Sequence, residues 1–231
     1  MRVLLRDPSF VVLYKPRGPE YAEFLRGASS FLGVPLFGVH RLDAVTSGAT
    51  VAALSRRAAS SLSLGWPGAR KSYLALCLGV PPRPRGAVEA ALGRREDARG
   101  YSRTVVTKTG EAARTEYEVV AARGESSCVR AELETGRRHQ IRAHMAHVGC
   151  PLGGDRKYGE RVRGLGGARE MFGEGDVHLH AQVLEFDHPD TGERVRVEAP
   201  LPEHFVRKAK QLGLDIGNVG SVAMSGERSD C

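Results

Sequence analysis

The sequence predicts an α+β domain built on a largely antiparallel sheet. Three observations carry the expectation of fold class. Short apolar or alternating runs bounded by Gly, Pro and Asp recur along the chain, as strands do. Helical spacing of apolar residues appears only in a few separate stretches. The two kinds of element also follow one another without the strict strand–helix alternation of a doubly wound sheet.

In chain order, Val3 to Leu5 and Phe10 to Tyr14 read as strands split by an Asp7-Pro8 turn. Tyr21 to Leu32 is expected to be a helix ending at Gly33, and Ala49 to Leu54 a buried strand. Ser55 is an N-cap residue for a helix through Leu64. Ser72 to Leu78 is a strand closed by Gly79 and the Pro81-Pro82 turn. Residues 81–112, rich in Pro, Gly and Arg, read as an exposed excursion with a hairpin around Ser102 to Thr107.

Beyond it, Thr115 to Ala122 and Cys128 to Glu134 alternate as paired strands about a turn at Gly124. Arg138 to Val148 has Ile141, Met145 and Val148 at helical spacing, with Gly149 as its stop and Pro151 just beyond. The Gly-rich stretch 159–175 is expected to be a mobile loop. Val177 to Asp187 and Arg194 to Ala199 form a last strand pair around a His-Pro-Asp-Thr-Gly turn, and Pro202 to Leu212 a short helix. One domain over residues 1–212 and a frayed tail over 213–231 are therefore expected.

Length and composition set bounds on function. The 231 residues are 41% apolar and 26% charged, enough for one sizeable core without disulfide staples. No run approaches the roughly 18 apolar residues that span a bilayer. The start, with three apolar residues before a charge, is too short for a signal peptide, so a cytoplasmic location and no membrane contact are expected. Cys77, Cys128, Cys150 and Cys231 are scattered, which reads as reduced thiols. The net charge is +7, and arginine outnumbers lysine 28 to 6. A guanidinium fork suits phosphate oxygens and stacks on bases, so a polyanionic partner is plausible, although a GC-rich genome gives the same composition.

Two segments hold candidate chemistry. In His40-Arg-Leu-Asp43-Ala-Val-Thr-Ser-Gly48 a carboxylate at a tight turn feeds a buried strand, which positions it rigidly as a nucleophile requires. The same spacing suits an Asx-type cap. In Glu134 to His144 three arginines and two histidines crowd a helix start. Arg142, next to Ile141, sits at the edge of the buried face, where it would pair with an interior carboxylate or simply join a solvated basic face.

The motifs together resemble the RluA-type pseudouridine synthases. His40-Arg-Leu-Asp43-x-x-Thr-Ser-Gly48 looks like that family's catalytic signature, and Lys71-Ser-Tyr73-Leu-Ala75 is similar to its Lys-x-Tyr-x-Ala segment. Thr135-Gly-Arg-Arg-His-Gln-Ile-Arg142-x-His144, then Gly149 to Asp155 and Lys157-Tyr-Gly159, resembles its third segment. Lys15-Pro16-x-Gly18 near the start and Leu179 through Pro202 near the end match too. The likeness runs in order over roughly residues 3–206.

The resemblance implies a largely antiparallel mixed sheet flanked by helices with a central cleft, in an enzyme that isomerises uridine to pseudouridine in ribosomal or transfer RNA, using no cofactor and no metal. Asp43 would act on the ribose as nucleophile. Tyr73 would stack on the uracil and help the final proton transfer, and Arg142 would form a salt bridge holding Asp43 ionised.

The family often continues its Lys-Pro-x-Gly with an apolar-His stretch, whereas Pro19-Glu-Tyr21 stands here. With a strand starting at Val3 no S4-like RNA-binding module is expected, and recognition is expected to rest on the catalytic domain. Candidate RNA contacts are His40, Arg41, Arg94, Arg95, Arg99, Arg103, Arg137, Arg138 and His139. A monomer is expected.

Two rival readings fit the residues less well. His144, His147 and Cys150 are spaced three apart, but Gly149 should end the helix first, which spoils a metal site. A non-catalytic RNA-binding or RNA-chaperone protein on the same fold would have no need of a carboxylate such as Asp43 in a basic cleft.

Overall fold

The computed structural model describes residues 1–96, 102–159, 172 and 175–217. Its strands are β1 (Arg2–Arg6), β2 (Phe10–Lys15), β3 (Phe37–Gly38), β4 (Thr46–Ala53), β5 (Arg70–Leu78), β6 (Arg85–Glu89), β7 (Leu92–Glu96), β8 (Ser102–Val106), β9 (Arg114–Arg123), β10 (Ser126–Leu133), β11 (Leu179–Asp187) and β12 (Arg194–Glu198). Its helices are α1 (Tyr21–Leu32), α2 (Arg56–Gly65), α3 (Gln140–His147), α4 (Arg156–Gly159) and α5 (Glu203–Gln211). Ten strands make one sheet in the order β1-β2-β4-β11-β5-β10-β9-β6, with β12 on β11 and β3 on β4; β7 and β8 form a separate hairpin. Within the large sheet only β4 and β11 run parallel.

Strand alternation explains why helices lie on both faces. Val11, Leu13 and Ala52 meet Phe24 and Ala28 of α1, while Val12, Val51 and Ala53 meet Ala58 and Leu62 of α2. Along β5, Tyr73, Ala75 and Cys77 pack with Ile141 and Met145 of α3. The intervening Leu74, Leu76 and Leu78 pack with Phe205 and Ala209 of α5. Two helix ends are set locally. Gly33 closes α1 at φ 69°, and the Ser55 hydroxyl accepts the Ala58 N–H at the start of α2.

The excursion at 81–112 is more structured than expected. Its β6 segment forms an edge of the large sheet against β9, and Val88 and Leu92 are buried. Only the β7–β8 part stands off as a hairpin, close to the expected place. Residues 213–217, expected to begin a frayed tail, contribute Leu214 and Ile216 to the cluster around α5. Most of the Gly-rich stretch, the rest of the tail, Cys231 and Arg99 lie outside the described residues. Cys77, Cys128 and Cys150 are free and buried. No described helix is long and apolar enough to cross a membrane.

The parallel β4–β11 contact matters most for the site. Thr46 aligns with Leu179 and Gly48 with Ala181, and across β11 these align with Ala75 and Tyr73 of β5. Tyr73 is thereby registered beside the turn that carries Asp43. Gly48 has φ +120°, and a Cβ there would stand 2.1 Å from the Ala181 carbonyl oxygen. Gly48→Ala should therefore cost about 3 kcal/mol or more of stability through backbone strain and overpacking. Urea unfolding measures it; a loss below about 0.5 kcal/mol would contradict the close approach.

Candidate active site

A cavity of about 490 Å³ opens where the Asp43 turn, the start of β5 and the loop before α3 converge. His40, Arg41, Asp43, Tyr73, Arg137, Arg138, His139 and Arg142 all line it. The fold thus gathers eight of the residues singled out from sequence.

The turn bearing Asp43 is held from below. Lys15 is fully buried, and its ammonium donates to the carbonyl oxygens of Pro16, Asp43, Ala44 and Thr46 at 3.0, 3.2, 3.3 and 3.1 Å. Burial lowers its pKa to about 8, with Glu20 and Asp43 opposing. Four carbonyls around one ammonium fix the backbone from which the Asp43 carboxylate projects. Lys15 stands in a quoted motif, but nothing in the sequence reveals this role, because three of its four partners lie 28 residues and more downstream.

The Asp43 side chain is 17% exposed and faces the cavity. Burial raises its pKa, and the charges of Arg142, Arg41 and Arg138 oppose the rise. Charge attraction from these groups favours the ionised form in a hollow that would otherwise neutralise it. The Nε2 of His139 lies 3.9 Å from the Asp43 carboxylate, too long for a hydrogen bond.

The expected direct salt bridge from Arg142 to Asp43 is not what forms. Arg142 gives both Nε and Nη2 to Asp155, at 2.7 and 2.9 Å, and its guanidinium lies 5.0 Å from the Tyr158 ring centroid. The reason is desolvation: the Asp155 side chain is fully enclosed and would be an uncompensated interior charge without a fork partner, whereas Asp43 borders the cavity. Arg142 acts on Asp43 through space, as the largest of its opposing charges.

Tyr73 is 7% exposed, and burial together with the Asp43 charge pushes its phenol well up. A phenol so held stays protonated; it can offer a ring face and donate a hydrogen bond, but it accepts a proton poorly.

Burial disfavours the charged form of both candidate histidines. The Nε2 of His40 accepts the Val51 N–H and meets the Thr50 hydroxyl, each at 3.1 Å, and burial drives its pKa to about 3. The ring stacks on Trp66 at 4.4 Å. His139 also falls to about 3, from burial and the nearby cations, and its Nδ1 meets the Tyr158 hydroxyl at 2.9 Å. It sits at φ 53°, the one non-glycine with positive φ among the described residues, a conformation that persists only where surrounding contacts hold it.

Gln140, buried beside it, uses its whole amide. Its carbonyl accepts from Thr135 and Arg137, and its NH2 donates to Arg114 and Thr115. That fixes the Thr135 to Arg138 loop over the cavity, a role the motif spacing did not reveal.

The remaining arginines divide. Arg41 and Arg138 are exposed at the rim, whereas Arg137 is ion-paired with Glu111. Arg94, Arg95 and Arg103 line a second, open groove of about 710 Å³ between the β7–β8 hairpin and α3. Tyr158 forms part of its wall and joins it to the first cavity through His139. Among the described residues no group of three His, Cys, Asp or Glu converges as metal ligands. His144 spends its ring on Thr115 and Ala90.

Similarity to known proteins identifies the fold and the family. Residues 9–147 match the RNA pseudouridylate synthase family model. The chain is 39% identical over 176 residues to an RNA pseudouridine synthase of Bacillus subtilis, covering 75% of this chain and 55% of that protein. It is 38% identical over 216 residues to the ribosomal large subunit pseudouridine synthase D of Pseudomonas aeruginosa, covering 88% and 67%. The solved structure of human RNA pseudouridylate synthase domain containing 4 superposes with a TM-score of 0.76 at 25% identity, covering 93% and 94%.

The chain belongs to the RNA pseudouridylate synthase family. Its relatives bear the names of RluA-type enzymes, as the motifs suggested. It spans about half the length of the Bacillus relative and of one from Chloroflexus aurantiacus.

Proposed function

We propose that this chain isomerises uridine to pseudouridine in structured RNA, with Asp43 as nucleophile. The observation that carries the reading is one carboxylate facing a cavity under the opposing charges of Arg142, Arg41 and Arg138, with the Tyr73 ring in the same hollow. The reaction breaks the bond from C1′ to N1, turns the uracil and rejoins it through C5. The C5 hydrogen departs and N1 gains a proton, so the product is an isomer.

Asp43 attacks the ribose, and Tyr73 offers a face to the uracil once the base has left its stack. Eversion costs a few kcal/mol, and stacking on an aromatic ring returns about 1–3 kcal/mol per base. The remainder comes from phosphate contacts outside the reacting atoms. Arg41 and Arg138 at the rim and Arg94, Arg95 and Arg103 in the adjoining groove supply them. Ribosomal RNA is the preferred target, because relatives named for the ribosomal large subunit match most of this chain.

Mapping pseudouridines in ribosomal and transfer RNA from cells with and without the protein tests the activity and names the target. One uridine should lose its modification with the gene, and purified protein should restore it. Unchanged maps would end the reading. Binding should also weaken steeply with salt. Neutralising about four phosphates gives a slope near −3 in log affinity against log salt, and a flat response would remove the arginines from the interface.

A further inference from the structure

The catalytic cavity also holds a cation without an anion. Lys71 is 8% exposed and lines the cavity together with His40, Trp66 and Pro67. Among the described residues its ammonium has neither a hydrogen-bond acceptor nor a carboxylate; its contact is the Trp66 ring, 5.9 Å to the centroid. The two other inward-reaching lysines are satisfied, Lys15 by four carbonyls and Lys157 by the Ser102 carbonyl. The ammonium opens onto the cavity with its charge uncompensated by any carboxylate among the described residues, which is where an anionic ligand can pair with it.

Lys71 is not spent on Asp43. The charges acting on that carboxylate are Arg142, Arg41, Arg138 and Glu20, while the group that feels Lys71 is His40. Position then points to the ligand. Lys71 and Tyr73 project from one face of β5 two residues apart, about 6.8 Å along the strand, a separation on the scale of one nucleotide. Trp66 lines the same hollow and is held by its stack on His40, whose ring is itself pinned by Val51 and Thr50.

We propose that Lys71 and Trp66 form a second subsite, which takes the phosphodiester and base of the nucleotide next to the isomerised uridine. Lys71 pairs with the phosphate, and Trp66 packs against the neighbouring base. The enzyme thus grips RNA one nucleotide beyond its target inside the cavity. This rests on the pseudouridine synthase reading of the site.

The test uses the full chain, a labelled ten-residue oligouridylate as probe, and the variants Lys71→Met and Trp66→Leu. Lys71→Met should weaken binding about tenfold at 0.1 M salt and reduce the salt slope by about 0.7, the contribution of one single-strand phosphate. Its urea midpoint should equal or exceed the wild-type value, because an unpartnered charge has been replaced by an apolar chain of similar length. Lys71→Arg should restore the slope. Trp66→Leu should weaken binding by about tenfold with the slope unchanged.

An unchanged slope in Lys71→Met, or a loss of its stability, overturns the subsite and makes Lys71 structural. The two claims fail separately. Slope loss in Lys71→Met with no pseudouridine made by the wild type sinks the activity alone. Full activity with an unchanged slope sinks the subsite alone.

Discussion

Asp43→Asn is expected to lower pseudouridine formation by about 10,000-fold or more, the scale on which loss of a nucleophile acts. The amide keeps the size of the carboxylate but cannot attack the ribose. The Lys15 bracket holds backbone carbonyls and not the side chain, so the turn should survive. RNA affinity should stay within a few-fold or rise, because one negative charge leaves a basic cleft.

Stability gives a second readout with a definite sign. Burial raises the Asp43 pKa above its unfolded value. The folded state therefore binds the proton more tightly. Stability from this group is full below the unfolded pKa and is lost as pH rises through the folded one. Asp43→Asn, which cannot ionise, should consequently be more stable than wild type at pH 7, and the difference should vanish in acid. Thermal unfolding across pH would show it, and a variant less stable at pH 7 would contradict the burial argument.

Arg142→Ala should cost about 3–5 kcal/mol of stability, because it strands the enclosed Asp155 carboxylate. The Asp155 side chain also accepts the Lys157 N–H at 3.1 Å, so α4 and the Tyr158 contact to His139 would loosen with it. Activity should fall as well, since the largest charge favouring ionised Asp43 disappears. Urea unfolding measures the first effect, and a loss under about 1 kcal/mol would show the pair to be expendable. Arg142→Lys should recover part of the charge but not the fork, leaving it less stable than wild type.

Much of this was legible in the sequence. The periodicity from Tyr21 to Leu32, the stop at Gly33 and the cap at Ser55 are local signals, and local hydrogen bonds fix them. The gathering of Asp43, Tyr73 and Arg142 into one cavity followed from motifs that the sheet register brings together. What failed to show depends on burial and distant partners. β6 was masked by Pro81, Pro82 and Pro84 and by arginines whose partners, such as Glu118 for Arg85, lie across the sheet. His40 and His139 read as possible charges until the fold enclosed them. The choice of Asp155 over Asp43 as partner of Arg142 turns on which carboxylate is fully dry, a property of packing rather than spacing.

Tritium placed at C5 of uridine in the target RNA tests the central claim most directly, because that hydrogen leaves when C5 bonds to the ribose. The wild-type protein should release one tritium for each pseudouridine formed, and the Asp43→Asn variant, with RNA still bound, should release essentially none. Release by that variant at the wild-type rate would show that another group carries the chemistry.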